Sequence, residues 1–260
     1  MTDKLLNYRM FGNGHPVLFL HGFLESSTMW DHLDLESFHF KSVLIDLPGH
    51  GKSLNEDDNE PSISFMSRKV IEIINHLNIE SFSVIGHSMG GYVALDLKKQ
   101  LSNNPKLICN KVVLLNSNFW EDSESKKNDR LRVADIVFKN KNLFINEAVP
   151  NLFIQKETFR NEINTLLNEA LQMDKHAISY ASLAMRNRTN AKNVLHQFNQ
   201  DFLIIQGALD QIIPAELMKN ELSEEKIQLE VLNGVGHMGH FEAADRVKEL
   251  ISTFFKNQTK

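Results

Sequence analysis

The chain has 260 residues, 42% of them hydrophobic, which is enough for a large buried core in one domain or in a domain carrying an insertion. A net charge of −5 excludes the strongly basic balance expected of a nucleic-acid or anionic-membrane binder. The single cysteine, Cys109, excludes an intrachain disulfide and suits a reducing compartment. From the N-terminus, "MTDKLLNYRMF" lacks the basic start and unbroken apolar segment of a secretory signal. No window reaches the roughly 18 apolar residues of a membrane span, so a soluble, cytoplasmic protein is expected.

The first apolar run is "VLFL" (17–20), which ends in the loop His21-Gly22-Phe23. "SVLID" (42–46) follows, then the acidic stretch "NEDDNEPS" (55–62), expected to be a solvated loop. In "FMSRKVIEIINHL", Met66, Val70, Ile73 and Leu77 share one helical face. "FSVIG" (82–86) runs through His87-Ser88-Met89-Gly90-Gly91 into the helical pattern "YVALDLKKQL", and "KVVLLN" (111–116) comes next, with Cys109 beside it as a buried structural thiol. From 119 to 199 no strand-like run appears. Three segments there read as helices: "RLRVADIVFKN", "ETFRNEINTLLNEALQ" with its stripe Phe159, Ile163, Leu166 and Ala170, and "KHAISYASLAMRNR". Pro150 separates the first from the second, and the charged opening "EDSESKKNDR" is expected to face solvent. "FLIIQG" (202–207) and "IQLEVL" (227–232) restore the strand pattern, and a last helix begins near Ala243.

Short apolar runs without alternation suit strands buried on both faces. Their alternation with helices predicts an α/β fold with a mostly parallel central sheet flanked by helices. The expected division is a core of 1–118 and 200–260, with 119–199 as a helical cap over one end of the sheet.

Gly86-His87-Ser88-Met89-Gly90 carries the chemistry. A nucleophile on a sharp strand-to-helix turn needs unusual backbone angles and neighbours without bulk two residues away on each side. Gly86 and Gly90 meet that need, and Gly91 allows still closer packing. The turn pushes the Ser88 hydroxyl clear of the sheet and sets the Met89 N–H at a helix N-terminus. A serine needs a general base, and the base needs an orienting acid. In "LNGVGHMGHFEAADRV", His237 is the candidate base; His240 competes but sits nearer the following helix. In "FLIIQGALDQIIP", Asp210 follows its strand and is the candidate acid, although a turn or capping aspartate would look the same. The N–H groups of Phe23 and Met89 are the expected oxyanion hole. His21, His50, His87 and Asp46 read as structural.

The chain resembles the α/β-hydrolase fold superfamily in its compact form with a helical cap. The matching pieces are "FLHGF" (19–23), "IDLPGHGKS" (45–53), "VIGHSMGGYVAL" (84–95), "IIQGALDQIIP" (204–214) and "GVGHMGHFEAADRV" (234–247). The resemblance implies acyl transfer to water through Ser88, Asp210 and His237, with no metal and no cofactor. Serine at the elbow disfavours the relatives that use an aspartate there, the haloalkane dehalogenases and epoxide hydrolases. After the strand that ends at Asn116 no carboxylate comes before Glu121, which leaves Asp210 as the acid.

The expected substrate is a small-molecule ester of a small or medium acyl group. Phe23, Leu24, Met89, Phe119 and Trp120 are candidate pocket walls, with Phe144, Leu152 and Phe153 above them, although each cap aromatic equally fits the cap's own core. Arg186 and Arg188 suit cations at a helix C-terminus, and Arg186 is carried as a candidate for a substrate carboxylate. Two alternatives stand beside the esterase. One is a C–C bond hydrolase or a pyruvate-eliminating lyase of the menaquinone-synthesis type, using the same triad. The other is a non-catalytic ligand-binding protein on this fold.

Overall fold

All six apolar runs become strands of one sheet, because a segment with no polar face must hydrogen-bond within the interior. The computed structural model describes residues 5–55, 60–223 and 225–256. The acidic stretch at 55–62 falls partly outside them, at 56–59. The strands are β1 (Tyr8–Phe11), β2 (Pro16–Leu20), β3 (Lys41–Ile45), β4 (Ser81–His87), β5 (Ile108–Leu115), β6 (Phe202–Gly207) and β7 (Gln228–Leu232). They lie in the order β1-β3-β2-β4-β5-β6-β7, every pair parallel except β1 with β3. Two strands depart from expectation. β1 has no apolar run to announce it, because it is a half-exposed edge strand. β7 is the other edge and is only partly buried, so its run is not a doubly covered strand.

Helices cover both faces. On one, α1 (Ile63–His76) and α2 (Met89–Gln100) bury Met66, Val70, Ile73, Val93 and Leu97 against Leu18, Val84 and Val112. On the other, α9 (Ala244–Phe255) and the turn carrying Met29 and Trp30 pack on Phe19, Ile85 and Val113. Cys109 is buried, and burial pushes its thiol up to about 12, as suits an inert structural cysteine.

Between β5 and β6 the described chain is helical: α3 (Glu124–Ala148), α4 (Arg160–Gln172), α5 (Lys175–Asn187) and the short α6 (Lys192–Gln197), while α7 (Ala215–Glu221) lies between β6 and β7. The side chains of Ser123 and Asp174 cap α3 and α5. α3 breaks at Asn140, whose φ of −144° and ψ of 52° are not helical. Pro150 follows α3 in a single 3₁₀ turn. The charged opening is largely solvent-exposed, as expected, with one exception. Most of it is the first two turns of α3, and Asp122 just before it is buried between Arg130 and Arg188.

The strand order decides where a site can form. β2 pairs with β3 on one side and β4 on the other, with Leu20 beside both Ile45 and Gly86. The chain reverses direction across the sheet there, so the loops after β2 and β4 diverge and open a crevice at the C-terminal ends of the strands.

Candidate active site

One residue, Ser88, separates β4 from α2. Its φ of 47° and ψ of −114° lie where a non-glycine residue is rarely found. The surroundings hold it there. Its N–H donates to the Leu115 carbonyl at 3.1 Å, and its carbonyl accepts from the Gly91 N–H at 3.0 Å and the Ser117 hydroxyl at 2.6 Å. The flanking glycines are obligatory: a Cβ on Gly86 would strike the Gly90 carbonyl, and one on Gly90 the Leu20 carbonyl. Both obstacles are backbone and have no rotamer to yield.

His237 Nε2 lies 3.0 Å from Ser88 Oγ, and His237 Nδ1 lies 2.8 Å from Asp210 Oδ2. The ring therefore donates Nδ1–H to the carboxylate and presents Nε2 to the hydroxyl as an acceptor. Asp210 is buried but well satisfied. Oδ2 also accepts from Gln206 Nε2 at 2.9 Å and Asn116 Nδ2 at 3.0 Å, and Oδ1 from the N–H groups of Ile212 and Ile213 at 2.9 Å each. Burial alone would raise its pKa, but the charge of His237 and these hydrogen bonds outweigh it and hold the group at about 2. His240 does not reach Ser88. It is fully buried against Trp30 and His87, neither ring nitrogen has a partner among the described residues, and burial keeps it neutral.

The Met89 N–H opens α2, and neither it nor the Phe23 N–H donates to any acceptor among the described residues. The Phe23 loop is fixed from below. Glu25 Oε2 accepts from the Gly22 N–H at 2.6 Å and faces His87 Nδ1 at 3.0 Å, while His87 Nε2 lies 3.0 Å from the His237 carbonyl. Both partners of His87 are acceptors, so the ring carries both protons and is an imidazolium. Burial pulls its pKa down, but Glu25 and the His237 carbonyl outweigh that and raise it. His21 accepts the Leu47 N–H on Nε2 at 2.9 Å, and burial brings His50 to about 3, so both are neutral. Asp46 accepts from the N–H groups of Ser27 and Lys52 and from Asn7, tying three loops together.

Ser88 and His237 open into a cavity of about 540 Å³. Its apolar walls are Phe23, Leu24, Val133, Phe144, Leu152 and Met185, and Lys126 and Arg130 stand at its polar end. Five expected wall or binding residues are elsewhere. Met89 turns its side chain into the core, and Phe153 is buried against Phe159 and Phe241. Phe119 and Trp120 line a separate cavity of about 280 Å³ beside Tyr92, because the segment after β5 passes over α2 before reaching α3. Arg186 lies one helical step past Met185, off the face of α5 that looks into the cavity, and donates to Asn187. Sequence reasoning missed Glu25, Asn116, Lys126 and Arg130. Glu25 and Asn116 act through partners distant in sequence, and Lys126 and Arg130 show a role only through the cavity they line, so no local spacing announces them. Among the described residues, no group of three or more His, Cys, Asp or Glu side chains could hold a metal ion. No helix among them is long and apolar enough to cross a membrane.

A family model described as the alpha/beta hydrolase fold matches residues 15–244. The chain belongs to the α/β-hydrolase fold family. It is 25% identical over 256 residues to a putative esterase/lipase 2 of Mycoplasma pneumoniae, covering 94% of this chain and 90% of that protein. Among solved structures it is similar to a thermophilic esterase from Thermogutta terrifontis with malate bound: 26% identity, TM-score 0.86, 98% of this chain and 94% of the other. It superposes as well on MenH from S. aureus, with TM-score 0.81 over 97% of this chain and 99% of the other. At 23% identity that second likeness is one of fold. With esterases and hydrolases as its relatives, the chain is an α/β-hydrolase enzyme.

Proposed function

We propose that this enzyme hydrolyses carboxylic esters of small to medium acyl groups, with Ser88 as nucleophile, His237 as general base and acid, and Asp210 as the orienting carboxylate. The observation that carries the reading is the unbroken chain Ser88 Oγ, His237 Nε2, His237 Nδ1, Asp210 Oδ2, with contacts of 3.0 and 2.8 Å, opening into a cavity. His237 takes the Ser88 proton as Oγ attacks the ester carbonyl. Asp210 stabilises the imidazolium that forms, and its low pKa keeps it charged throughout. The free N–H groups of Phe23 and Met89 receive the oxyanion, each worth about 3 kcal/mol in the transition state. His237 then protonates the departing alkoxide, and water, deprotonated by the same ring, releases the acid from Ser88. The helices of 119–199 act as a cap that closes the cavity over the core of 1–118 and 200–260.

The C–C hydrolase or lyase alternative loses Arg186, which stands outside the Ser88 cavity, although Lys126 and Arg130 line that cavity and keep a cation available to a substrate carboxylate. The binding-protein reading has no missing triad member to support it. The test is hydrolysis of 4-nitrophenyl acetate and butyrate, with fluorophosphonate labelling, by wild type and Ser88→Ala. Wild type should turn over both esters and label, and Ser88→Ala should do neither. Turnover that survives in Ser88→Ala, or folded wild type that neither labels nor turns over, would overturn the proposal.

A further inference from the structure

α3 presents Lys126, Asp129, Arg130 and Val133 at i, i+3, i+4 and i+7, so all four lie on one helical face, and all four line the cavity that holds Ser88. The charged end of that face is out of balance. Buried Asp122 accepts from Arg188 Nη2 at 2.7 Å and from Arg130 Nε at 3.2 Å, so one carboxylate already serves two guanidinium groups. Lys126 adds a third cation and has no acceptor within ion-pair distance among the described residues. Arg130 spends only Nε on Asp122; its two terminal nitrogens donate no hydrogen bond among the described residues.

The other carboxylates nearby are committed elsewhere. Asp129 pairs with Arg132 at 2.8 Å and is half exposed. Glu121 and Glu124 face Lys127, and Glu25 is neutralised by His87. The surroundings resist the positive charge they hold: burial first, then Arg130 and Arg188, bring Lys126 below the ordinary lysine value against the pull of Asp122 and Asp129. A ligand anion would relieve that resistance and occupy the idle donors.

The geometry points to an anion subsite at Lys126 and Arg130, so that the substrate is an ester that also carries a carboxylate, with its apolar part along Val133, Phe144 and Leu152. This rests on the ester-hydrolase reading above. Hydrolysis of such an ester consumes one water and yields an alcohol and an acid, with one carboxylate held away from the reacting carbonyl throughout.

The test compares mono-4-nitrophenyl glutarate with its neutral counterpart 4-nitrophenyl valerate, and 4-acetoxybenzoate with phenyl acetate. The first pair places the carboxylate on the acyl side and the second on the leaving-group side. Wild type should favour the anionic member of at least one pair by about tenfold in kcat/KM, the size of one charge-assisted hydrogen bond. The preference should shrink as salt rises. Lys126→Gln should lower kcat/KM for the anionic ester at least fivefold more than for the neutral one. Arg130→Lys should do the same while keeping a cation near Asp122. Equal rates within both pairs, or a preference untouched in both variants, would overturn the subsite.

Calorimetric binding to Ser88→Ala separates the two proposals, because it needs no turnover. Tighter binding of the glutarate or acetoxybenzoate anion, lost in Ser88→Ala/Lys126→Gln, supports the subsite even if no ester is cleaved by wild type, an outcome that would sink the ester reading alone. No difference between anionic and neutral ligands there would sink the subsite alone.

Discussion

His87 is buried completely, yet its two ring nitrogens face only acceptors, so the protein holds a positive charge directly beneath His237, the proposed general base. An unpaired buried cation would be very costly, and Glu25 is what makes it tolerable. The groups facing His87 are Glu25, the His237 backbone and ring, neutral His240 and, farther off, Asp210. The sign of the pH effect follows. A histidine whose folded pKa is raised stabilises the fold fully below its unfolded value near 6.5, and the contribution is lost as pH rises through the raised value. Glu25, held low against its burial by His87, adds stability above its ordinary value and loses it as pH falls through the depressed one. At pH 7, ¹⁵N spectra should place both nitrogens of His87 in the protonated range, and the side-chain ¹³C shift of Glu25 should be that of a carboxylate. Glu25→Gln should shift one His87 nitrogen to the unprotonated range and lower kcat, since the same carboxylate orients the Gly22 amide below Phe23. A neutral His87 in wild type would sink the assignment.

At the scale of elements, the His237 loop and the chain leaving the helical segment are joined by one side chain. Glu242, on the short helix α8 (Gly239–Glu242), accepts from the Gly236 N–H through Oε2 at 2.6 Å and from the Ile154 N–H through Oε1 at 2.7 Å. The Leu152 carbonyl accepts the His237 N–H at 3.3 Å beside it. Glu242→Ala leaves two amide donors without their acceptor, at a cost of about 2 kcal/mol, which should lower Tm by about 4–8 °C in a chain of this size. Because the clamp sets the height of the imidazole over Ser88, kcat should fall more than KM rises; Glu242→Gln should recover part of both. An unchanged Tm and kcat in Glu242→Ala would show that the clamp positions nothing. The elements differ in how far local sequence announces them. Apolar runs announce β2 to β6, because a central parallel strand has no polar alternative. β1 escapes notice because an edge strand needs only intermittent burial. The Gly86 to Gly90 turn is legible because backbone there tolerates no side chain. Asp210 and His237 are legible by the strands they follow. Glu25, Asn116 and Glu242 are not, since the partners that give them meaning lie on other loops, and Arg130 is not, since only the folded chain turns its helix face into the cavity. Arg186 sits in the last turn of α5, as a cation at a helix C-terminus would, and its candidacy for a substrate carboxylate fails because a helix C-terminus does not say which face its last turn presents.

At the scale of the molecule, the cavity belongs to neither layer alone. Its floor is the C-terminal edge of the sheet, with Ser88, His237 and Ile212, and its roof is α3 and α5, with Val133, Phe144 and Met185. A volume of about 540 Å³ lies within the range of small-molecule sites, so the roof limits how long an apolar group fits beside Ser88. Phe144 stands on α3 beyond the break at Asn140, only partly buried in the core, so truncating it enlarges the cavity without removing a fully packed residue. Across 4-nitrophenyl esters from acetate to dodecanoate, wild type should lose kcat/KM once the chain outgrows the roof. Phe144→Ala should move the optimum to longer chains, with little loss on acetate, because the Ser88 and His237 contacts lie on the opposite wall. A uniform drop at every chain length would mean that the ring supports the fold and not the shape of the cavity. An unchanged profile would mean that long chains leave by another path, past Tyr92 toward the neighbouring cavity at Phe119 and Trp120.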